Sequence, residues 1–359
     1  MVVGNVVREV RLFAPRCIVF VVVNVCQDTP LTSDYENFSV KSEYFTREEA
    51  SELIEGFHML GCDAILIDGE KDFLTLVLSG EFTKNDSRIR LVYSGLGAGT
   101  YRCRSVAVPA ICKMYEIQHC GNDIYTTAVT ENKICVTKLL QNHGFRVPET
   151  WYFSSKEGWS GKIPSEDRVL IAKPAYEFSS VGVTVESVSQ LTKSFEKHIS
   201  ELSRSLRQPI LVQEYIDGTE VEVPVFDLDK PFAPCCIAIN IENSNSNILT
   251  YDLVECGGYG LSLYSNSDQN AQTQLQRISC DSFNQLGLAG VIRVDFRLDK
   301  NGEAYIIDYN GYPSIKKQQS CEFAIKCLGY QYADMLALLL YKPIIQWQKN
   351  YQFGRDFER

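Results

Sequence analysis

Four polar side chains that could hold a metal ion or a phosphate group lie close together in the segment 292–314. This segment predicts two β-strands joined by an Asn-Gly pair, which is typical of a tight hairpin turn. The first strand carries Arg293 and Asp295, and the second carries Asp308 and Asn310. Because successive side chains of a strand point to opposite faces, an even-numbered loop places all four on one face. Crowded carboxylates need a compensating cation, and oxygen ligands of this kind suit Mg²⁺. The alternative is an exposed hairpin whose outer face is merely polar.

The same register predicts that the other face of the hairpin is apolar and packs inward. Six side chains are expected on this apolar face: Val294, Phe296, Leu298, Tyr305, Ile307 and Tyr309.

Composition limits the class of protein. The chain has 359 residues, of which 45% are hydrophobic and 22% charged, which is ordinary for a soluble protein of two or three domains. A net charge of -10 argues against a nucleic-acid surface. The 13 cysteines form no Cys-x-x-Cys pair, so no zinc site is expected. With no visible signal peptide and no apolar run long enough for a bilayer, we expect a cytoplasmic protein with no membrane partner.

The first part of the chain has the pattern of a parallel sheet. The apolar run Ile18–Val25 predicts a buried strand, and Thr46 with Glu49 has the form of a helix capping box. A second strand is expected at Ala64–Ile67. Strand, helix and strand at this spacing predict a doubly wound α/β domain.

A phosphate site is predicted around residue 175. Lys173 ends an apolar strand, where a lysine needs a nearby anion or a route to solvent. The sequence Ser179-Ser180-Val181-Gly182 follows and offers hydroxyl and backbone N–H groups that can surround a phosphate.

Two further segments could bind a flat ligand and cover it. The segment 210–220 predicts an apolar strand that ends in a linker, where Tyr215 and Ile216 could cover an adenine ring while Glu220 takes ribose hydroxyls. The alternative is a plain strand–turn–strand crossing between domains. The polar stretch from Asn240 to about Asn270 is expected to be a long loop, either a lid over the reacting groups or disordered.

Taken in order, these motifs resemble the ATP-grasp superfamily, and within it the D-alanine–D-alanine ligase family. The motifs are a lysine, Lys-Pro, Ser-Ser-Val-Gly, Glu-Tyr-Ile-x-Gly-x-Glu, Arg-x-Asp and Asp-x-Asn, spread over residues 90–320. The resemblance implies an α/β and α+β protein: an ATP-grasp fold preceded by a Rossmann-like, or pre-ATP-grasp, domain. The domains it implies are an amino-terminal domain, 1–121, a central subdomain with the phosphate loop, 122–212, and a carboxy-terminal subdomain, 213–359.

The resemblance also implies a reaction. In this family ATP phosphorylates a carboxylate, and an amine attacks the acyl phosphate to give an amide, ADP and phosphate. The expected cofactors are therefore ATP and Mg²⁺, and the expected partners are small-molecule amino-acid substrates and a second copy of the chain in a homodimer.

Site roles follow from matching positions. Arg293 and Ser180 would act in catalysis, and Arg293 would also contact the substrate together with Ser314 and Ser320. The metal ligands would be Asp295, Asp308 and Asn310. The residues expected to bind ATP are Lys133, Lys173, Ser179, Ser180, Gln213, Glu214, Tyr215, Ile216 and Glu220.

Several positions depart from the family pattern. Asp308 replaces a usual glutamate, and Gln213 replaces a common acidic residue. The Lys-Tyr pair that the family often carries in the lid is missing at 251–256. Ser320 lies one residue later in the chain than the serine of the family pattern, and the sequence at 310–314 differs from the usual Asn-Thr-x-Pro-Gly. The departures concentrate at substrate-facing positions, which predicts a ligase whose substrates differ from two D-alanines. The alternatives are a divergent D-alanine–D-alanine ligase and a nucleotide-binding protein without ligase activity.

Overall fold

The computed structural model describes residues 2–29, 33–83, 87–241, 247–264 and 269–357, and three β-sheets organise them.

The first sheet is built from the amino-terminal part of the chain. Its elements are α1 (Val2–Phe13), β1 (Cys17–Val23), α2 (Arg47–Leu60), β2 (Asp63–Asp68), α3 (Gly69–Leu78), β3 (Ile89–Ser94), α4 (Ala107–Met114) and β4 (Gln118–His119). The four strands are parallel in the order β2-β1-β3-β4, which is the parallel α/β arrangement that the strand–helix–strand spacing predicts. All seven residues of β1 are buried, as expected for a central strand. Thr46 and Glu49 form the predicted capping box at the start of α2.

The second sheet follows in the chain. Its elements are α5 (Ile124–Thr130), α6 (Lys133–Asn142), β5 (Thr150–Ser154), β6 (Gly158–Trp159), β7 (Val169–Pro174), β8 (Val188–Gln190), α7 (Lys193–Ser205) and β9 (Ile210–Glu214). The strand order is β6-β5-β9-β7-β8, with antiparallel pairing. Phe195, Ile199 and Leu202 of α7 cover one face of this sheet.

The third sheet carries the predicted metal ligands. Its elements are β10 (Gly218–Asp227), β11 (Pro231–Phe232), β12 (Ile237–Ile241), α8 (Tyr251–Glu255), β13 (Tyr259–Leu263), α9 (Gln269–Gln285), β14 (Val291–Asp299), β15 (Ala304–Asn310), α10 (Ser320–Cys327) and α11 (Tyr332–Phe357). The order is β13-β12-β10-β14-β15, with β11 beside β10. Val136 and Leu140 of α6 pack beneath this sheet together with Phe283. The predicted domain boundaries stay predictions.

The first and last helices pack together. Val3, Val6 and Val10 of α1 are buried in one core cluster with Leu336 and Leu340 of α11. This cluster also contains core residues of the first sheet, so the carboxy-terminal helix packs against that sheet. Within the described residues no single helix is long and apolar enough to cross a membrane; α10 and most of α11 reach that threshold only as a pair, bent by 105°.

The polar face of the hairpin forms as predicted. Arg293 lies opposite Asn310, and Asp295 lies opposite Asp308, across β14 and β15. Facing residues of an antiparallel pair point to the same side, so all four side chains share one face.

The predicted apolar face is partly wrong, because a β-bulge interrupts the register. The register shifts between Asp295 and Phe296, so Phe296 lies opposite Ile306 and not opposite Ile307. Tyr305 lies opposite Arg297 and therefore shares its face. Ile306 is buried, whereas Ile307 lines the cleft described below.

Candidate functional site

A cleft of about 610 Å³ lies between the second and third sheets and is closed on one side by loops of the amino-terminal domain. Residues from all three regions line it, which makes it a candidate active site. The predicted site residues that line the cleft are Lys133, Lys173, Ser179, Ser180, Glu220, Arg293, Asp295, Asp308, Asn310 and Ser314.

Two lysines from the second region reach Ile307 and Asp308 of the third sheet. Lys133 is the first residue of α6, and its Nζ lies 2.5 Å from Asp308 Oδ2. Lys173, near the end of β7, donates from Nζ to the Ile307 carbonyl oxygen at 3.2 Å. Burial disfavours the ionised form of Asp308, but Lys133 and Lys173 outweigh it and hold the pKa of Asp308 below its ordinary value. Asp308 and the Ile307 carbonyl are thus the polar partners that the half-buried Lys173 needs.

Arg293 is held between two carboxylates. Its Nε and Nη2 donate to the two oxygens of Asp295, each at 2.7 Å, and Nη2 also lies 3.0 Å from Glu222 Oε1. Burial raises the pKa of Asp295 although Arg293 opposes the shift. Burial likewise raises the pKa of Glu222 to about 7, again against the attraction of Arg293. These two ion pairs fix the position of Arg293 in the lining of the cleft.

Glu222 is a site residue that the sequence prediction missed. It lies opposite Asp295 in the pairing of β10 with β14, and it accepts a hydrogen bond from the Ser320 hydroxyl. Glu220 and Glu222 are two residues apart on one strand, so they share a face, and Glu220 was already assigned to the site. That alternation was the signal that could have identified Glu222.

The predicted phosphate loop, 179–182, has an unusual backbone. Ser179 and Ser180 have φ angles of 49° and 55°, in the left-handed region that non-glycine residues seldom adopt. Gly182 also has positive φ, and a Cβ there would lie 2.7 Å from Pro174 Cγ. Strained residues that persist at a cleft point to a functional role, here with hydroxyl and N–H groups available to an anion.

A buried ion cluster supports the phosphate loop from the amino-terminal domain. Arg104 pairs with Glu43 and donates from Nη1 to Glu177 Oε2 at 3.0 Å. Glu43 in turn accepts from the backbone N–H of Phe178 at 3.0 Å, directly before the two serines. Glu131 lies close to the same guanidinium, with one oxygen that finds no hydrogen-bond partner among the described residues. We call Arg104, Glu43, Glu177 and Glu131 the Arg104 cluster.

The predicted nucleotide-base residues lie beside the cleft. Gln213 lies opposite the cleft-lining Ile171, so it is on the cleft face of the second sheet. It is buried, and its Oε1 has no hydrogen-bond partner within the described part of the chain. Such an orphaned acceptor fits a ligand that brings an amino group, as adenine does. Glu214 instead pairs with Arg168 at 3.2 Å.

Arg297, which the sequence prediction missed, contacts the linker that contains Tyr215 and Ile216. Arg297 Nη1 donates to the Tyr215 hydroxyl at 2.9 Å and to the Ile216 carbonyl at 3.1 Å. Its Nη2 lies 3.2 Å from Glu220 Oε2. Arg297 and Glu220 both line the cleft. The contacts of Arg297 therefore fix the position of the linker beside the cleft.

The predicted lid is more ordered than expected. The stretch from Asn240 to Asn270 contains α8 and β13, so the prediction of a long loop without secondary structure is wrong. Its parts at 242–246 and 265–268 lie outside the described residues. The Ser39 backbone N–H donates to the Tyr251 hydroxyl at 3.2 Å, which ties α8 to the amino-terminal domain. Glu255 and Tyr259 line the cleft, as a lid over it would.

The two predicted substrate serines have different settings. Ser314 lines the cleft, whereas Ser320 is buried at the start of α10 and directs its hydroxyl to Glu222. Gln319, the residue before it, lines the cleft and lies 3.3 Å from the Tyr259 hydroxyl.

The predicted metal ligands are oxygen donors, and the two carboxylates among them are paired with nearby cations. Asp295 and Asp308 face each other, Asn310 follows on the same face, and Arg293 and Lys133 hold the carboxylates. Among the described residues no group of three or more His, Cys, Asp or Glu side chains is placed to hold a metal ion. Two carboxylates and an amide nevertheless fit Mg²⁺, which usually takes one or two carboxylates and completes its shell with water and phosphate oxygens.

Comparisons with known proteins agree on one family. A sequence model described as D-ala D-ala ligase C-terminus matches residues 141–341. The D-alanine–D-alanine ligase of Polynucleobacter asymbioticus is 23% identical over 241 residues, which cover 67% of this chain and 70% of that protein. The ligase of the same name from Cupriavidus metallidurans is 23% identical over 235 residues, covering 65% and 70%.

Solved structures agree as well. The D-alanine–D-alanine ligase of Bacillus anthracis superimposes with a TM-score of 0.68 at 16% identity, covering 93% of this chain and 99% of that chain. The VanG D-Ala:D-Ser ligase of Enterococcus faecalis gives a TM-score of 0.64 at 17% identity, covering 91% and 99%. These matches confirm the fold class predicted from the sequence.

Proposed function

The family model covers more than half of the chain, so the chain belongs to the D-alanine–D-alanine ligase family, and we propose that it is an ATP-dependent carboxylate–amine ligase. The family membership confirms the resemblance seen in the sequence. In the proposed reaction the γ-phosphoryl group of ATP passes to an amino-acid carboxylate, which gives ADP and an acyl phosphate. An amine nitrogen then attacks the acyl carbon, a C–N bond forms, inorganic phosphate leaves, and the nitrogen loses a proton.

One observation carries this proposal: the cations of the second region meet the acidic face of the third sheet in a single cleft. Lys133 lies 2.5 Å from Asp308, and Lys173 reaches the backbone next to it. Phosphoryl transfer depends mainly on positioning and on neutralising charge, which lysines and metal-bound carboxylates supply. Arg293 lies on the same face, where it could stabilise the oxyanion formed when the amine attacks.

The roles of the nucleotide-binding residues follow from the same geometry. Lys133, Lys173 and the two serines of the phosphate loop would hold the ATP phosphates. Gln213 would offer its orphaned oxygen to the adenine amino group, and Glu220 would hold the ribose. The remaining linker residues, Glu214, Tyr215 and Ile216, would border the base.

Mg²⁺ would be held by Asp295, Asp308 and Asn310, which fit it by the chemistry of their oxygen donors. When bound, the ion would neutralise phosphate charge. The protein's own contribution is to place two carboxylates opposite each other on rigid strands, with Lys133 and Arg293 beside them.

The substrate pair is proposed to differ from two D-alanines. Ser320 is engaged by Glu222, and α8 has no Lys-Tyr pair, so the surfaces that would meet the substrates differ from the family pattern. Ser314 and Arg293 remain the proposed substrate contacts, with Ser180 next to the reacting phosphoryl group.

The proposed cellular setting is the cytoplasm and the proposed assembly is a homodimer. The edge strand β2 exposes Ile65 and Leu66, at 43% and 41%, beside the exposed Leu78 of α3. An exposed apolar edge strand invites pairing with another chain, and a second copy would cover it.

The test is a two-part assay with a panel of L- and D-amino acids. Hydroxylamine traps an acyl phosphate as a hydroxamate, so ATP-dependent hydroxamate and ADP formation identifies the donor without knowledge of the natural acceptor. We expect a small set of donors to react, and Lys133→Met to abolish the signal. If no donor yields hydroxamate although ATP and Mg²⁺ bind, the protein is a nucleotide-binding member of the family without ligase activity. The pairing of Arg293 with two carboxylates is the observation that favours this second candidate.

A further inference from the structure

Glu222 adds a negative charge to one wall of the cleft, which we define by Glu222, Arg293 and Ser320. It is buried to 4% exposure, and both of its carboxylate oxygens are engaged. Oε1 lies 3.0 Å from Arg293 Nη2, and Oε2 accepts from the Ser320 hydroxyl. The same Arg293 nitrogen already donates to Asp295 Oδ2 at 2.7 Å. The Arg293 guanidinium thus serves two protein carboxylates.

The third sheet indicates which part of a ligand would meet this wall. Along β10 and β14, the pair Glu220–Arg297 comes first, then Glu222 opposite Asp295, and then Arg293 opposite Asn310 across β15. If Glu220 lies at the ribose and Asp295 at the phosphates, Arg293 lies further along the strands, on the side of the phosphates that faces away from the ribose. That is where the acyl carbon and the incoming amine would meet.

Neutral polar groups complete this end of the cleft. Gln319 and Tyr259 both line the cleft, and the Tyr259 hydroxyl donates to Gln319 Oε1 at 3.3 Å. Gln319 directly precedes Ser320, and Tyr259 lies near Glu222. Lys316, the next cation along the lining, is itself held by Glu49 at 2.8 Å and donates to the Tyr44 carbonyl at 2.8 Å. Arg293 and Lys316 therefore each already have a carboxylate partner.

We propose that Glu222 makes the acceptor subsite selective for amines that carry no adjacent carboxylate, such as primary amines and amino-acid amides. This inference rests on the proposed ligase function and names the substrate class of its second step. A carboxylate placed next to Arg293 would lie beside Glu222 and would meet like charge in a desolvated site. The hydroxyl of Ser320, which could have received it, is occupied by Glu222. A carboxamide brings no charge and can use Gln319 as a hydrogen-bond partner.

The experiment compares acceptors that differ only in this group. The best donor from the hydroxylamine assay is supplied with ATP and Mg²⁺ at about pH 8, well above the ordinary pKa of a glutamate carboxyl. Alanine and alaninamide, each as both enantiomers, are the acceptors, and the product is identified by mass. We expect kcat/KM for the better alaninamide to exceed that for the better alanine by about tenfold or more, since like charges oppose binding of the carboxylate.

The variant Glu222→Gln tests the residue. It keeps the volume and removes the charge, so the ratio of the two kcat/KM values should fall to near unity, mainly through a lower KM for alanine. Glu157→Gln, which removes one exposed charge elsewhere, should leave the ratio unchanged. Hydroxamate formation by each variant shows that it is folded and activates the donor. A wild-type preference for alanine, which needs no variant to observe, or an unchanged ratio in Glu222→Gln would overturn the inference. Failure of the proposed function would appear differently, as no hydroxamate with any donor.

Discussion

The Arg104 cluster carries more negative than positive charge, and this excess predicts an unusual dependence of stability on pH. One guanidinium faces the carboxylates of Glu43, Glu177 and Glu131, all buried. Burial raises the pKa of Glu43 to about 7, although Arg104 opposes the shift, and burial also raises the pKa of Glu131. The folded protein therefore binds protons on this cluster that the unfolded chain has released.

The direction and the size of the change in unfolding free energy with pH follow from the difference in pKa between the folded and unfolded states. A carboxyl group whose pKa is raised on folding favours the folded state below its unfolded pKa, and this contribution is lost as pH rises through the folded pKa. For Glu43 the window runs from the ordinary value of 4.5 to about 7. A shift of that size corresponds to about 3 kcal/mol of unfolding free energy, lost between the two ends of the window.

The perturbation is Glu43→Gln, which keeps an acceptor for the Phe178 N–H and removes the titrating group. We expect the difference in unfolding free energy between variant and wild type to change by about 2.5 kcal/mol in favour of the variant between pH 5 and pH 8. A constant cost from altered hydrogen bonds cancels in this comparison.

The assay is urea unfolding, followed by tryptophan fluorescence, at a series of pH values. Glu157→Gln is the control, because it removes an exposed carboxylate of the same type. Its difference from wild type should stay constant over the series. If the Glu43→Gln difference is equally flat, Glu43 is already ionised in the folded protein at pH 5, and the argument from excess buried charge is refuted.

Four further outcomes are expected. Asp295→Asn should lower the rate of ADP release by about a hundredfold or more with an unchanged circular-dichroism spectrum, and retained activity would exclude its assigned role. Lys173→Met should raise KM for ATP by about tenfold or more, because a phosphate loses a charge-assisted hydrogen bond; an unaltered KM would remove Lys173 from the phosphate site. ATP should bind more tightly with Mg²⁺ than with EDTA in calorimetry, and equal affinities would contradict the metal site. Leu66→Glu should convert a dimer to a monomer in sedimentation velocity, whereas a monomeric wild type would contradict the proposed interface.

The sequence was sufficient for the polar face of the hairpin and insufficient for its apolar face. Arg293, Asp295, Asp308 and Asn310 obey the two-residue period because they lie on the same side of the bulge. Beyond it the period is out of step, so Tyr305 was assigned to the wrong face. A bulge of this kind leaves no mark on the alternation of residue types, which is why the sequence could not reveal it.

Contacts between distant segments set a second limit. Lys133 and Asp308 are 175 positions apart, and Arg104 and Glu177 are 73 apart, so no local pattern links either pair. Family resemblance predicted that Lys133 would belong to the site, but it could not predict the Arg104 cluster. Glu222 was within reach, since a buried strand seldom carries two carboxylates on one face.

The pairing of predicted ligands also explains why nucleotide and metal should bind together. Asp308 is held by Lys133 and Asp295 by Arg293, so each of the two proposed metal-binding carboxylates occupies a cation that is proposed to serve phosphate or acyl oxygens. A metal ion alone would have to displace these cations, leaving them buried without a partner, and a nucleotide alone would leave the carboxylates uncompensated. Arriving together, the two bring opposite charges, and each protein group exchanges one partner for another of the same sign. We therefore expect the ion pairs of the cleft to favour the magnesium–nucleotide complex over either component alone.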